Sequence, residues 1–145
     1  MDNNIQIVDI SDVDELCLIE KKTYKSPWNK KHFESDIKNK LSLNYSYKKN
    51  NQLIGYLFGY LIEREYHLNK ITVENIHRQK KIGRELFDYC LKELINKNVK
   101  CIQLEVSSLN LIAQKFYKSL NFIQVGRRKK YYSDHDDALL YNLEI

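Results

Sequence analysis

Residues 71–84 read ITVENIHRQKKIGR and contain the transition that decides the fold. A β-branched apolar segment ends at Val73, a basic turn follows it, and apolar residues at helical spacing begin at Ile82. A strand that runs through such a turn into a helix presents free backbone N–H groups at the positive end of the helix dipole, a typical site for a phosphate or pyrophosphate. The turn contains one glycine, Gly83, so the stretch taken alone also fits an ordinary exposed, basic helix start.

Strands and helices alternate on both sides of this stretch. Before it, the pattern predicts a strand at Ile5 and Ile7, a helix capped by Ser11, a helix from Lys30 to Asn39, a hairpin with its turn at Asn50-Asn51, and a strand from Tyr66 to Val73. After it, the pattern predicts a helix whose inner face runs from Ile82 to Leu94, a strand over Cys101 to Val106, a helix that Asn110 opens, and two strands, Phe122 to Val125 and Ala138 to Leu143, around a polar, aromatic loop. This order predicts an α/β protein with one domain over residues 1–145, a mixed, mostly antiparallel sheet and helices on both of its faces.

A group of polar residues follows the second of the predicted strand-to-helix transitions. Glu105 is the only full charge in its strand, and a charge in a strand must be solvated, paired or facing a cleft. Asn110 and Tyr117 are seven residues apart, so they lie on one side of the same helix. The simpler interpretations are a carboxylate at a rim, a helix N-cap and a half-buried aromatic side chain.

Taken together, these motifs resemble the Gcn5-related N-acetyltransferase superfamily, and within it the bacterial ribosomal-protein-alanine N-acetyltransferases. The resemblance runs from about Ile5 to Ile145. It is carried by Pro27-Trp28 before a short helix, Ile71-Thr72-Val73 leading into residues 78–84, Leu104-Glu105-Val106 with Asn110, Phe116-Tyr117-Lys118-Ser119-Leu120-Asn121-Phe122, Arg127-Arg128 with Tyr131-Tyr132, and Asp137-Ala138. The chain departs from the family pattern at Lys81, where the turn usually has glycine.

The resemblance implies acetyl-CoA as co-substrate, bound between the strand that ends at Val73 and the strand of Glu105. It implies that the backbone of Ile71, Thr72 and Val73 pairs with the pantetheine arm and that Asn110 holds this arm from the far side. It places the pyrophosphate against the basic turn, namely Gln79, Lys80, Lys81, Ile82, Gly83 and Arg84. A Cβ at Lys81 crowds that pyrophosphate if the backbone there needs a positive φ.

The resemblance also implies Glu105 as the general base and Tyr117 as the acid that protonates the leaving thiolate. Glutamate is a weak base at neutral pH unless it is desolvated or works through ordered water. A free α-amine, with a pKa of about 8, demands less of such a base than a lysine at about 10.4. The implied acceptor is the N-terminus of an alanine-starting protein of the small ribosomal subunit.

Other functions stay open. The same fold could act on lysine or on a small amine, or it could be an inactive module that binds the ribosome or RNA, with Lys81 as the hint. The run from Arg127 to Lys130 fits RNA binding or a solvated basic strand end. Tyr131-Tyr132 and Pro27-Trp28 fit either substrate-facing walls or loop anchors.

Composition sets the remaining expectations. The formal charge of +5 is that of an ordinary solvated surface, so we expect no direct nucleic-acid partner. The three cysteines form no CxxC pair and the four histidines are scattered, so we expect reduced thiols and no metal. Met1 to Asn4 has no basic start of a secretory signal, and the apolar run from Leu53 to Ile62 is too short to span a membrane, so we expect a cytoplasmic protein with no membrane partner.

Overall fold

The structure, a computed structural model, describes residues 4–78 and 80–145, so Met1 to Asn3 and Gln79 lie outside it. The strands are β1 (Ile5–Ile7), β2 (Tyr45–Lys49), β3 (Gln52–Ile62), β4 (Glu65–Val73), β5 (Cys101–Ser107), β6 (Ile123–Ser133) and β7 (Asp136–Glu144). The helices are α1 (Val13–Thr23), α2 (Lys30–Lys38), α3 (Ile82–Asn96) and α4 (Leu111–Ser119), with 3-10 turns at Ile10–Asp12 and Asn75–His77. None of the helices among the described residues has the length and apolar character that crossing a membrane requires.

The strands of the described residues form one seven-stranded sheet in the order β1-β2-β3-β4-β5-β7-β6. All its neighbours are antiparallel except β4 and β5. This parallel pair is short, because only Glu65 to His67 of β4 matches Cys101 to Gln103 of β5. Beyond His67 the two strands have separated, which leaves an opening in the middle of the sheet. The predicted mixed, mostly antiparallel sheet is confirmed.

Helices cover both faces of the sheet, as predicted. On one face, α1 and α2 pack Leu16 and Phe33 against Tyr56 and Phe58 of β3. The other face is covered by α3 and by half-buried side chains of α4. The buried core on this face comprises Tyr45, Tyr47, Ile54, Leu57, Tyr66, Leu68, Ile82, Leu86, Phe87, Cys90, Leu94, Val99, Ile102, Leu104, Val106, Leu120, Phe122, Leu139 and Tyr141. Successive β3 side chains thus serve different cores, because strand side chains alternate between faces.

The N-terminal cap was predicted at the wrong residue. Asp9, not Ser11, caps this helical segment: its carboxylate accepts the backbone N–H of Ser11 at 3.0 Å. In return, the carboxylate of Asp12 accepts the backbone N–H of Asp9 at 2.8 Å, which completes a capping box. The 3-10 turn before α1 moves the cap two residues upstream of the residue that helical spacing alone indicates.

The polar, aromatic loop predicted between the last two strands is also wrong. Those residues extend β6 to Ser133, at the edge of the sheet, with two irregularities in its pairing to β7. Asp137 secures the bulged part, because its carboxylate accepts the backbone N–H of Lys130 at 2.7 Å and pairs with Arg127 at 2.5 Å. The hydrogen bond from Lys130 and the contact with Arg127 hold the pKa of Asp137 below its usual range.

Candidate active site

A cleft of about 770 Å³ lies beside the point where β4 leaves β5. Its lining residues are Trp28, His32, Tyr60, His67, Leu68, Asn69, Gln103, Leu104, Glu105, Val125, Arg128, Tyr131, Tyr132, Leu140 and Asn142. Glu105, the predicted base, is thus in a cleft wall, and its side chain retains 34% of its exposure. The guanidinium Nη2 of Arg128 is 3.6 Å from Oε1 of Glu105.

Aromatic rings stand on two sides of this cleft. The Trp28 ring stacks on His32 with centroids 4.0 Å apart, and Tyr60 stacks on His67 at 4.8 Å. Tyr131 and Tyr132 meet edge to face. Both segments for which substrate-facing walls were considered, Trp28 and Tyr131-Tyr132, therefore line the same cleft as Glu105.

Tyr117, the predicted acid, belongs to the α3/α4 side of the sheet. Its ring meets Phe116 and Phe122 edge to face, and it interacts electrostatically with Tyr24. Burial, and to a lesser degree Tyr24, raises the pKa of Tyr117, so its hydroxyl is protonated at neutral pH. No hydrogen bond among residues 4–78 and 80–145 uses this hydroxyl, which leaves its proton available.

Glu105 and Tyr117 approach from opposite faces of the sheet. The neighbours of Glu105 in β5, Leu104 and Val106, are buried in the α3/α4 core, so Glu105 points to the other face, where the cleft lies. Tyr117 packs against that α3/α4 core. Side chains on opposite faces can serve one reaction only through the gap between β4 and β5.

The predicted pantetheine strand is the part of β4 that borders this gap. Ile71, Thr72 and Val73 pair with β3, but on their other side no strand of the described residues pairs with them. The side chain of Thr72 is occupied by a 2.6 Å hydrogen bond with the hydroxyl of Tyr24. An extended molecule in the gap therefore meets β4 as an open strand edge.

The predicted phosphate turn leads from β4 into α3, and its residues lie together except Gln79, which is outside the described residues. Lys80 and Arg84 are exposed, whereas the Ile82 side chain is buried in the core. A Cβ at Gly83 would be 3.4 Å from Phe116 of α4 and 3.8 Å from Val73 of β4. The start of α3 therefore lies beside the end of β4. The first N–H groups of a helix have no partner within the helix and are a typical site for an anion.

Asn110 is the N-cap of α4. Its side-chain oxygen accepts the backbone N–H of Ala113 at 3.0 Å. The simpler interpretation of Asn110 as a cap is thus correct. The cap uses only the amide oxygen, so a pantetheine contact through its nitrogen remains a prediction.

The backbone at Lys81 is strained, as expected for a lysine at a position where the turn usually has glycine. Its φ is 64°, in the left-handed region, and it precedes α3 without a side-chain cap. A non-glycine residue pays about 1–2 kcal/mol for this conformation. We therefore expect Lys81→Gly to raise the free energy of unfolding by about 0.5–1 kcal/mol, since part of the relief is lost to the freer unfolded chain, as measured by urea denaturation.

Lys81→Ala is the matched control for this measurement, because it removes the ammonium but keeps the Cβ. Its stability should equal that of the wild type. If the alanine and glycine variants unfold at the same urea concentration, backbone strain at residue 81 is excluded.

Sequence reasoning missed several residues of the cleft and its support. Arg128 was named in the family motif and in the basic run but given no place beside Glu105, and His32 and His67 were weighed only as metal ligands. Behind the cleft, a buried ion pair of Glu20 with Lys70 was missed as well. Among the described residues, no group of three or more His, Cys, Asp and Glu side chains is placed to hold a metal ion.

The chain is similar to one family of known enzymes over most of its length. The acetyltransferase (GNAT) family model matches residues 13–122. The [ribosomal protein bS18]-alanine N-acetyltransferase of Escherichia coli K12 is 27% identical over 146 residues, which cover 99% of this chain and 98% of the relative. The enzyme of the same name from Salmonella typhimurium is also 27% identical, with the same coverage of both chains.

Solved structures agree with these relatives. The crystal structure of the ribosomal-protein-S18-alanine N-acetyltransferase from Escherichia coli matches with a TM-score of 0.90 and 26% identity, covering 97% of this chain and 92% of the other. Ard1 from Thermoplasma volcanium matches with a TM-score of 0.86 over 97% and 96% of the two chains; at 20% identity it shows the shared fold alone. Since the family model spans most of the chain, and the fold agrees, this chain belongs to the GNAT family of acetyltransferases.

Proposed function

We propose that this enzyme transfers the acetyl group of acetyl-CoA to the N-terminal α-amine of a ribosomal protein that begins with alanine. The observation that carries the proposal is the cleft, which unites Glu105 with aromatic walls at the gap between β4 and β5. The relatives that match nearly the whole chain are named for this reaction on ribosomal protein bS18. Localisation in the cytoplasm accords with such an acceptor.

The residues around the gap suit acetyl-CoA, although the Cβ of Lys81, at a positive φ, narrows the space for its pyrophosphate. The free edge of Ile71 to Val73 offers backbone groups to the pantetheine amides, and the N-terminal turn of α3 offers N–H groups and basic side chains to the pyrophosphate. Another protein with this fold, an aminoglycoside 6'-N-acetyltransferase, was solved as a complex with coenzyme A. When bound, acetyl-CoA supplies the activated acetyl group as a thioester.

The two predicted catalytic residues divide the proton transfers. Glu105, in the cleft wall, takes a proton from the acceptor ammonium, so that the neutral amine can attack. Tyr117, on the opposite face, gives its proton to the departing sulfur. This division needs an uncharged phenol at neutral pH, and burial maintains that state by raising the pKa of Tyr117.

The shape and chemistry of the cleft support this acceptor. Trp28 and Tyr132 stand on different walls, which suits one thin extended chain better than a lysine presented from a folded surface. A small first side chain fits between such walls. An α-amine is also neutral to a larger extent at pH 7 than a lysine amine, with pKa values of about 8 and 10.4.

We expect peptides that begin with Ala to be acetylated at the α-amine, and peptides that begin with Ser to react less well. The measurement is mass spectrometry of peptides copying the N-terminus of the organism's own bS18 after incubation with acetyl-CoA. The control peptide has the same sequence with a blocked N-terminus and an internal lysine. Tyr132→Ala should blur the preference for Ala over bulky residues more than it weakens acetyl-CoA binding.

Rapid acetylation of the blocked, lysine-containing peptide would instead identify a lysine acetyltransferase of the same fold. Failure to bind acetyl-CoA in calorimetry would favour an inactive ribosome- or RNA-binding module.

A further inference from the structure

A buried charged cluster lies directly behind one wall of the cleft. Glu20 of α1 has no exposed surface, and its carboxylate accepts the Tyr56 hydroxyl at 2.6 Å and the Trp28 backbone N–H at 2.9 Å. The ammonium of Lys70 in β4 makes an ion pair with the same carboxylate. This carboxylate therefore ties two strands to the segment between α1 and α2 that carries Trp28.

Lys70 also contacts the aromatic rings of that segment. Its Nζ is 3.9 Å from the centroid of the Trp28 ring and 4.1 Å from that of Tyr24. Only 12% of its side chain is exposed, so these cation–π contacts are largely desolvated, which makes them stronger than on an open surface. Trp28 also stacks on His32, and both of these side chains line the cleft.

We infer that Lys70, held by Glu20, is a positioning residue that sets the place of Trp28 in the acceptor wall and thereby the selectivity for the acceptor's first residue. The inference rests on the proposed function, since it concerns the acceptor side of the same cleft. Lys70 does not line the cleft and transfers no proton; it acts through Trp28. Burial lowers the pKa of Lys70 below its ordinary value, and the contact with Glu20 offsets only part of this effect.

Lys70→Met tests the inference, because methionine keeps the length and packing of the side chain but deletes the charge. A desolvated cation–π contact corresponds to roughly a 30-fold change in an equilibrium. Because Lys70 acts on the acceptor only through Trp28, this is an upper limit, and we expect the KM for the Ala-starting peptide to rise by about threefold to 30-fold. The KM for acetyl-CoA should stay unchanged, and discrimination between Ala- and Val-starting peptides should fall. Lys70→Arg, which keeps a cation, should restore the peptide KM.

Trp28 supplies a readout that does not depend on activity, because it is the only tryptophan in the chain. In Lys70→Met its fluorescence should be quenched more strongly by acrylamide than in the wild type. Wild-type enzyme that fails to acetylate the Ala-starting peptide refutes the proposed function, whereas the quenching measurement still tests the positioning of Trp28.

Two further variants separate positioning from stability. Glu20→Gln combined with Lys70→Met removes both buried charges, so its Tm should return toward the wild-type value while the peptide KM stays raised. Lys48→Met breaks another ion pair, in which the half-buried Lys48 lies 2.7 Å from the buried Asp12. This variant should lower the Tm without affecting Trp28 quenching or the peptide KM. The inference is overturned if Lys70→Met leaves quenching and peptide KM unchanged, or if the double variant regains the wild-type peptide KM together with its Tm.

Discussion

Glu105→Gln should keep the affinity for acetyl-CoA and lower kcat by about 10²–10⁴-fold at pH 7, because glutamine cannot accept the proton of the acceptor ammonium. The isosteric amide keeps the size of the side chain in the cleft wall. The loss should shrink as the pH rises, since a growing fraction of the α-amine is then neutral without help from the enzyme. Steady-state kinetics from pH 6 to pH 9 with an Ala-starting peptide measure both effects.

Arg128→Gln is the companion variant, since Arg128 lies 3.6 Å from Glu105 and its removal changes the charge of the cleft without removing the base. Its pH profile should keep the shape of the wild-type profile. Full activity of Glu105→Gln at pH 7 would remove Glu105 from the mechanism. A loss that is equally large at every pH would point to a role in binding the acceptor instead.

Tyr117→Phe should fold normally and lower kcat by about 10²-fold or more, because it deletes the only proton that Tyr117 can give to the leaving sulfur. The ring contacts with Phe116 and Phe122 do not involve the hydroxyl, so packing is retained. Rapid-quench measurement of a single turnover isolates this step from product release.

Tyr24→Phe is a suitable control for this variant, since it removes the hydroxyl bonded to Thr72, beside Tyr117, and leaves the proposed acid intact. It should retain more activity than Tyr117→Phe. A Tyr117→Phe protein that melts far below the wild type and yet turns over normally would show that Tyr117 is only a core aromatic residue.

The strand, turn and helix around residues 71–84 could be predicted because the signal is local. The β-branched run Ile71-Thr72-Val73 ends before the basic turn, and helical spacing begins at Ile82. In the structure β4 ends at Val73 and α3 begins at Ile82. Asn50-Asn51 was equally readable as a hairpin turn, since both residues adopt the positive φ that such turns need and that asparagine tolerates.

The face on which β6 presents its side chains could not be predicted. Val125 and Arg128 both line the cleft, although an unbroken strand would place them on opposite faces. A pairing irregularity near Val125 changes the alternation, and such bulges leave no clear trace in one sequence. Arg128 was missed as a neighbour of Glu105 because the sequence pattern placed it in a loop after Val125, and even a strand prediction would have given it the wrong face.

The Glu20–Lys70 pair was missed for a different reason. Glu20 follows Leu16 by four residues, so helical spacing places it on the buried face of α1, and this misplaced charge was the available signal. Its partner is 50 residues away in β4. Only the packing of α1 on the sheet brings Glu20 and Lys70 together, and hydrophobic periodicity does not reveal contacts between residues so far apart in the sequence.

The two edges of the described sheet affect the tendency of this protein to aggregate at high concentration. An exposed strand edge invites pairing with a neighbouring chain, which leads to aggregation. β1, at one edge, is three residues long and offers little to pair with. β6, at the other, is eleven residues long, but it is kinked at Lys130, where φ is 55°, and carries four consecutive cations from Arg127. Arg127 and Arg128 are paired with Asp137 and Glu105, so Lys129 and Lys130 supply the mutual repulsion where the sheet would otherwise extend from one molecule to the next.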